Sequence, residues 1–338
     1  MPGVGLGCPK REIGMRRTAF AIIGFFATVA SAAAMDCKAA KSDIEKAICA
    51  SPLALEADEA MVAAYNALRQ RVAPAERAAL LVAQRNWLKR RGGGCESDKP
   101  AYAQCLVDDA NQRRAFLEAR PESGPGVGSA LQPIVIARPG KPRDWEIDVE
   151  LLKFAEPKTP GEQTFNVEVA KMVREIPTDR SGIGRNQTYS HNAWMRLTWL
   201  SPRLISARIE GYEFSGGAHG NPFTVGLNID RKTGRKLVFA DAFDQAARAK
   251  LADACLAQIS PEKVRRGMEA PKGDELKSLR QGIDEGLSRL DTWNFSARGA
   301  TIIYGNYAIG SYAEGAYECF VPMARLKELA KKDFPLPE

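Results

Sequence analysis

Two histidines and seven cysteines carry most of the reactive chemistry that this 338-residue chain has to offer. His219 stands next to last in the run Tyr212-Glu213-Phe214-Ser215-Gly216-Gly217-Ala218-His219-Gly220, where an imidazole of ordinary pKa near 6.5 has the properties of a general base. A base needs a nucleophile or a metal beside it, and neither a G-x-S-x-G nor an H-E-x-x-H pattern accompanies this one. The first reading is therefore structural: a histidine that holds a glycine corner through its ring nitrogens, as buried polar groups find partners. His191 reads as ordinary surface, and Asp291, Glu314 and Glu318 make a carboxylate set only on paper, because nothing in their spacing brings them together. No catalytic residue is assigned.

Cys8 lies in an expected leader, leaving Cys37, Cys49, Cys95, Cys105, Cys255 and Cys319. An even number in an exported chain reads as disulfides, four cysteines in a first module and two in a second. Cys255 falls on a predicted helix and Cys319 in a late strand, and these two are expected to pair; the pairing of the first four stays open. Zinc is the competing reading, but there is no C-x-x-C pair and neither histidine is near a cysteine in sequence, so no metal and no cofactor are expected.

These residues must be positioned outside the cytoplasm if the cysteines are to oxidise. Translation is expected to start at Met15, with Arg16-Arg17 as basic flank, Ala19 to Ala30 as apolar run and Ser31-Ala32-Ala33-Ala34 as cleavage site, so residues 1–34 read as a signal peptide. The run is short for a membrane span and no later stretch reaches 18 apolar residues, so no transmembrane anchor is expected and the location is periplasmic or secreted. Losing Lys10, Arg11, Arg16, Arg17 and Glu12 lowers the formal charge from +7 to +4. Such mild basicity, without Lys/Arg runs, excludes nucleic acid as a partner by charge.

Four helices are predicted over residues 35–120. Ser42 and Glu45 form a capping-box pattern. Ser51-Pro52 opens a second helix with the stripe Leu53, Ala57, Met61, Ala64, Tyr65 and Leu68. Pro74 opens a third, with Leu80, Gln84, Trp87 and Arg91 on one side and Gly92-Gly93-Gly94 as its stop; Tyr102, Cys105, Leu106, Ala110 and Leu117 mark a fourth. Trp87 and Tyr65 are expected in the core of this thin, disulfide-stapled module. Residues 121–142 are rich in Gly, Pro and Ser and read as a linker.

Residues 143–338 alternate and then turn helical. Strands are predicted at Trp145–Phe154, around Met195–Trp199 and Leu204–Glu210 across the turn Ser201-Pro202-Arg203, and at Phe223–Asp230, followed by the turn Asp230–Arg235 into Lys236–Phe239. Phe165 to Val173, Asp241 to Ile259 and Asp274 to Leu290 read as helices, Ala300 to Tyr304 and Glu318 to Val321 as strands, and Met323 to Lys332 as a closing helix. The expected fold is α+β: a small disulfide-stapled helical module followed by an α+β domain with a largely antiparallel sheet. The glycine corner, with Gly216 and Gly217 allowing close backbone approach and Tyr212, Phe214, His219, Phe223, Tyr307 and Tyr312 as neighbouring aromatics, is the candidate binding site.

Two resemblances follow from these motifs. Asp36-Cys37, Glu45-Lys46-Ala47-Ile48-Cys49, Leu53, Asp58, Tyr65, Gln84-Arg85-Asn86-Trp87-Leu88, Arg91, Cys95, Cys105 and Arg120 together resemble the N-terminal domain of LprI-like lysozyme inhibitors. The corner Tyr212–Gly220 with Leu227–Asp230 and Lys232–Gly234, and then Trp293–Phe295, Ile302–Tyr304, Tyr307–Gly310, Tyr312–Gly315 and Val321–Leu326, resemble the extracytoplasmic domain of RsiV, a lysozyme-sensing anti-sigma factor, and the non-catalytic part of PdaC-like peptidoglycan deacetylases. The resemblances imply an exported, non-catalytic binding protein whose partner is a lysozyme or other muramidase, or peptidoglycan fragments. A peptidoglycan-acting envelope enzyme, or an accessory domain of one, is the alternative; two histidines leave no room for a metal-dependent deacetylase site. An envelope-stress sensor or scaffold is the third reading.

Overall fold

The computed structural model describes residues 35–97 and 100–337; the expected leader, residues 1–34, lies outside them. Ser42 caps α1 (Asp43–Ala50) with a capping box: its hydroxyl accepts from the Glu45 N–H, and the Glu45 carboxylate accepts from the Ser42 N–H at 2.8 Å. Ser51 then caps α2 (Pro52–Arg71), whose first residue is a proline that has no N–H to lose. Next come α3 (Pro74–Arg90) and α4 (Tyr102–Leu117). Ala57, Met61, Ala64, Tyr65 and Leu68 are buried as the stripe requires, and so are Leu80, Gln84, Trp87 and Arg91. Leu53 is the exception: it is 65% exposed, and Ala54 takes the inward position instead. Disulfides Cys37–Cys49 and Cys95–Cys105 staple α1 to the chain before it and α4 to the loop after α3.

The larger sheet runs in the order β1-β2-β3-β4-β5, with β1 (Leu131–Arg138), β2 (Asp144–Phe154), β3 (Thr188–Leu200), β4 (Leu204–Phe214) and β5 (Asn221–Asp230). Every neighbouring pair is antiparallel except β2 with β3, which are parallel and joined by α5 (Pro160–Arg174). A parallel pair needs such a crossover, since a tight turn cannot reverse the chain twice. The expected continuation at Lys236–Phe239 is not a strand: Lys236 makes a single bridge to Ile229, and Phe239–Ala242 form the short α6.

A second sheet, antiparallel β6-β7-β8, comprises Trp293–Ser296, Gly299–Tyr304 and Tyr317–Pro322. It buries Trp293, Phe295, Ile302, Tyr304 and Tyr317 with residues of α7 (Gln245–Arg265), α8 (Gly273–Leu287) and α9 (Met323–Leu329) in one apolar cluster. The expected bridge Cys255–Cys319 ties α7 to β8. The two sheets meet edge to face: the Asn228 amide donates to the carbonyls of Leu290 and Trp293, both at 2.9 Å, and a Cβ on Gly226 would collide with the Trp293 carbonyl oxygen.

The stretch expected as a linker carries structure. Ile134-Val135-Ile136 lie in β1, which pairs with β2 and packs beneath α3, so residues 131–138 are sheet rather than connector. Ahead of β1, the Glu122 N–H donates to Leu197 O and the Ser123 hydroxyl to Thr198 O, at the bulge of β3. Composition misled because glycine and proline on both sides of Ile134-Val135-Ile136 outweigh these three β-branched residues. A single apolar cluster contains Met61, Leu80 and Trp87 from the helices together with Ile147, Val149, Leu151 and Ile209 from the sheet. Helical region and larger sheet thus share a core.

Candidate functional site

β4 and β5 deliver the glycine corner. Gly216 and Gly217 have φ of 99° and 96°, a left-handed backbone that side chains oppose. Beyond them the His219 ring stacks on Tyr312, with centroids 3.8 Å apart and planes 22° from parallel. The Gly220 carbonyl receives two donors, His219 Nδ1–H at 3.0 Å and the Tyr312 hydroxyl at 2.7 Å. A carbonyl only accepts, so in this contact Nδ1 is the donor. Tyr212 fills the space where a Gly220 side chain would stand, and Tyr307 lies 5.7 Å from Tyr312. Two motif blocks about 90 residues apart in sequence therefore converge on one backbone oxygen.

The loop that brings Tyr307 and Tyr312 is moored by Glu314. Its carboxylate accepts from the Ser311 N–H, from Lys263 Nζ on α7 and from the Tyr317 hydroxyl at 2.8 Å. Burial alone would raise this carboxyl, but Lys263, Ser311 and Tyr317 hold it down at about 2. Glu318 instead pairs with Arg208, and Asp291 with Arg289, so the three carboxylates do not converge. Tyr307 sits at φ 68° and is 63% exposed, and Tyr212 is 36% exposed.

Tyr212, His219, Tyr307 and Tyr312 of the candidate binding residues are thus brought together. Phe214 turns toward Tyr189, 6.2 Å away edge-on, and the Gly216 α-carbon faces the same Tyr189 ring. Phe223 lays its ring over Gly211 and packs against the large core, while Gly217 has open space around it. Glu213, Ser215 and His219 do line one hollow of about 170 Å³, the residue types of a nucleophilic triad. The recorded hydrogen bond of the histidine goes to Gly220, however, and not to Ser215. His191 is not ordinary surface: it is half-buried opposite Glu213, and burial lowers its pKa.

A second constellation joins helices to sheet and was not legible in the sequence. Asp148 and Glu150 point to the same face of β2 and are 1% and 2% exposed. Arg90 from α3 bonds both, at 2.7 and 3.1 Å, Arg113 from α4 bonds Glu150, and the Trp194 indole donates to Asp148 at 3.0 Å. The Arg90 guanidinium also lies 4.1 Å above the Trp194 ring. Burial, reinforced by the Glu150 charge, pushes Asp148 up to about 6. Alternating acidic residues in a strand usually signal a solvated face; here two helices cover it. Among the described residues no cluster of metal-ligating side chains is found, and no helix is long and apolar enough to cross a membrane.

Comparison with known proteins divides the chain in a related way. Residues 35–117 match the family model of the lysozyme inhibitor LprI, a stretch that holds α1 to α4 and the four paired cysteines. Residues 238–324 match the family described as protein of unknown function, DUF3298, which includes Tyr307 and Tyr312 but not the corner Tyr212–Gly220. Solved structures are similar as well, two of them from the same family. A DUF3298 family protein from Pseudomonas aeruginosa PAO1 is 15% identical over 63% of this chain and 98% of its own, with a TM-score of 0.44. A DUF3298 family member from Bacteroides fragilis NCTC 9343 is 17% identical over 61% and 95%, with a TM-score of 0.41. Scores at this level carry no conclusion. No curated protein matches the chain.

Proposed function

We propose that this protein is exported and acts by binding a lysozyme or related muramidase, without chemistry of its own. The observation that carries the reading is the match of residues 35–117 to the lysozyme inhibitor LprI family, with its four cysteines closed into two short disulfides. Disulfides belong to an oxidising compartment, which supports a periplasmic or secreted location. Tyr212, His219, Tyr307 and Tyr312 are the proposed contact group on the second part of the chain, as a convergent aromatic patch supplies contact area at low entropy cost. Holding an exposed tyrosine at a positive φ costs about 1–3 kcal/mol, a strain that a contact role would explain. Net charge of +4 after leader removal offers no long-range steering toward a basic partner, so affinity must come from short-range fit.

The test is retention of the purified, oxidised protein on immobilised lysozymes of several types, paired with inhibition of each in a cell-wall turnover assay. Retention by at least one type, weakened by Tyr307→Ala or Tyr312→Ala, is the expected result. Failure to bind any of them would remove the reading. The hollow shared by Glu213, Ser215 and His219 motivates an enzymatic alternative: turnover of peptidoglycan fragments by the wild-type protein, abolished by both Ser215→Ala and His219→Ala, would establish that reading instead.

A further inference from the structure

We propose that the cavity between α3, α4 and the polar face of β2 to β4 is a binding site for a short neutral oligosaccharide. Its volume of about 430 Å³ falls in the roughly 300–1,000 Å³ range of small-molecule sites. Its walls are more apolar than polar, with Trp87, Phe116 and Trp194 beside a set of charged side chains. That set is electrically balanced: Arg90, Arg113 and Arg196 stand against Asp109, Glu150 and Glu210.

The balance selects the ligand class. An anion would meet three carboxylates and a cation three guanidiniums, each at a cost that grows as water is expelled. A sugar carries no charge, and each of its hydroxyls both donates and accepts, which matches a wall of alternating donors and acceptors. Its C–H groups suit the ring edges left uncovered, since Arg90 lies over one face of Trp194 and Trp87 and Phe116 are 5% and 7% exposed. Arg113 is 6% exposed, and its Nη2 has no hydrogen-bond partner although its other nitrogens reach Gln84 and Glu150. That nitrogen is closed off from the cavity, so the donors a ligand can reach are those of Arg196 and Gln112. The remaining groups are held in place before any ligand arrives, Arg90 by Asp148 and Glu150, and Arg196 by a fork on Glu122 at 2.6 and 2.9 Å. Such preorganisation lowers the entropy cost of binding.

Length follows from continuity. Gln112 and Arg196 also line a second cavity of about 390 Å³ that runs on toward Thr198, Asn294 and Thr301. A linear chain of sugar units can reach two neighbouring hollows that share Gln112 and Arg196 as a wall, which a single ring cannot. Gln112, half-buried at the junction, is placed to bond the unit that crosses it.

The experiment is calorimetric titration of the full oxidised chain with chitotriose, cellotriose and maltotriose, and with trigalacturonate as the acidic counterpart, following tryptophan emission in parallel. At least one neutral trisaccharide should bind with a dissociation constant below about 1 mM, and trigalacturonate at least about tenfold more weakly. Gln112→Ala should weaken the neutral ligand about fivefold or more at an unchanged melting temperature. Gly94→Leu gives a second, steric readout: Gly94 lines the cavity and has no atom within 4 Å of an added Cβ, so the new side chain enters free space and should block binding. The proposal is overturned if no neutral trisaccharide binds by about 10 mM, if the acidic one binds tightest, or if both variants bind as the wild type does. No lysozyme is present in this titration, so its failure leaves the lysozyme reading untouched, and the reverse holds as well.

Discussion

The Gly220 carbonyl shows how single residues set the candidate site. Because His219 and Tyr312 both donate to it, His219→Ala should lower stability by about 1–3 kcal/mol, the usual consequence of breaking a partly buried polar contact. Tyr312→Phe should cost about 1 kcal/mol, since one donor remains. Urea unfolding of the two variants measures this; a His219→Ala protein as stable as the wild type would show that the histidine does not hold the corner. At Asp148 the prediction concerns pH. Its carboxyl is raised to about 6 by burial and by Glu150, so the folded chain binds that proton more tightly than the unfolded one. The resulting stability is fully present below about pH 4 and is lost as pH rises through 6. Asp148→Asn should therefore flatten the urea midpoint between pH 4 and 6, and an unchanged slope would mean that another group titrates there.

At the scale of elements, the bridge between α7 and β8 and the contact between β5 and β6 hold the second sheet. The Cys255–Cys319 bridge spans 64 residues, and a loop of that length contributes about 4 kcal/mol by restricting the unfolded chain. Replacing both cysteines by alanine should lower unfolding free energy by that order. Alkylation of the purified protein without reductant should label none of the six paired cysteines, and labelling of two or more of them would break the disulfide framework. Gly226→Ala tests the sheet contact: the added methyl meets the Trp293 carbonyl oxygen, so β5 must move away from β6 and stability should fall by about 1–3 kcal/mol.

For the whole molecule, the shared core leads us to expect that the helical region and larger sheet unfold as one unit. Residues 121–142 were expected to part residues 35–120 from residues 143–338, yet β1 and the arginines of α3 and α4 cross that boundary. A fragment starting at residue 143 loses the edge strand and uncovers Asp148 and Glu150. We expect the full chain to melt in a single transition, that fragment to be markedly less stable, and limited proteolysis to spare residues 131–138. Early cleavage between Gln132 and Arg138, with both products still folded, would restore the two-domain view.

By itself the sequence determined what local chemistry controls. Helix starts at Ser42 and Ser51, the stop at Gly92, the hairpin across Ser201-Pro202-Arg203 and the pairing of Cys255 with Cys319 all depend on a few adjacent residues or on elimination, and all are present in the structure. The corner was legible for the same reason, since glycines at positive φ announce themselves. Tertiary structure decided the rest. That Phe214 and Phe223 leave the corner while Tyr307 and Tyr312 join it depends on how β4, β5 and the loop before β8 meet. That Asp148 and Glu150 are buried depends on two helices folding back over β2, an arrangement set by apolar area and ion pairing between segments some 60 residues apart. Periodicity records which face of a strand is polar; only packing decides what covers that face.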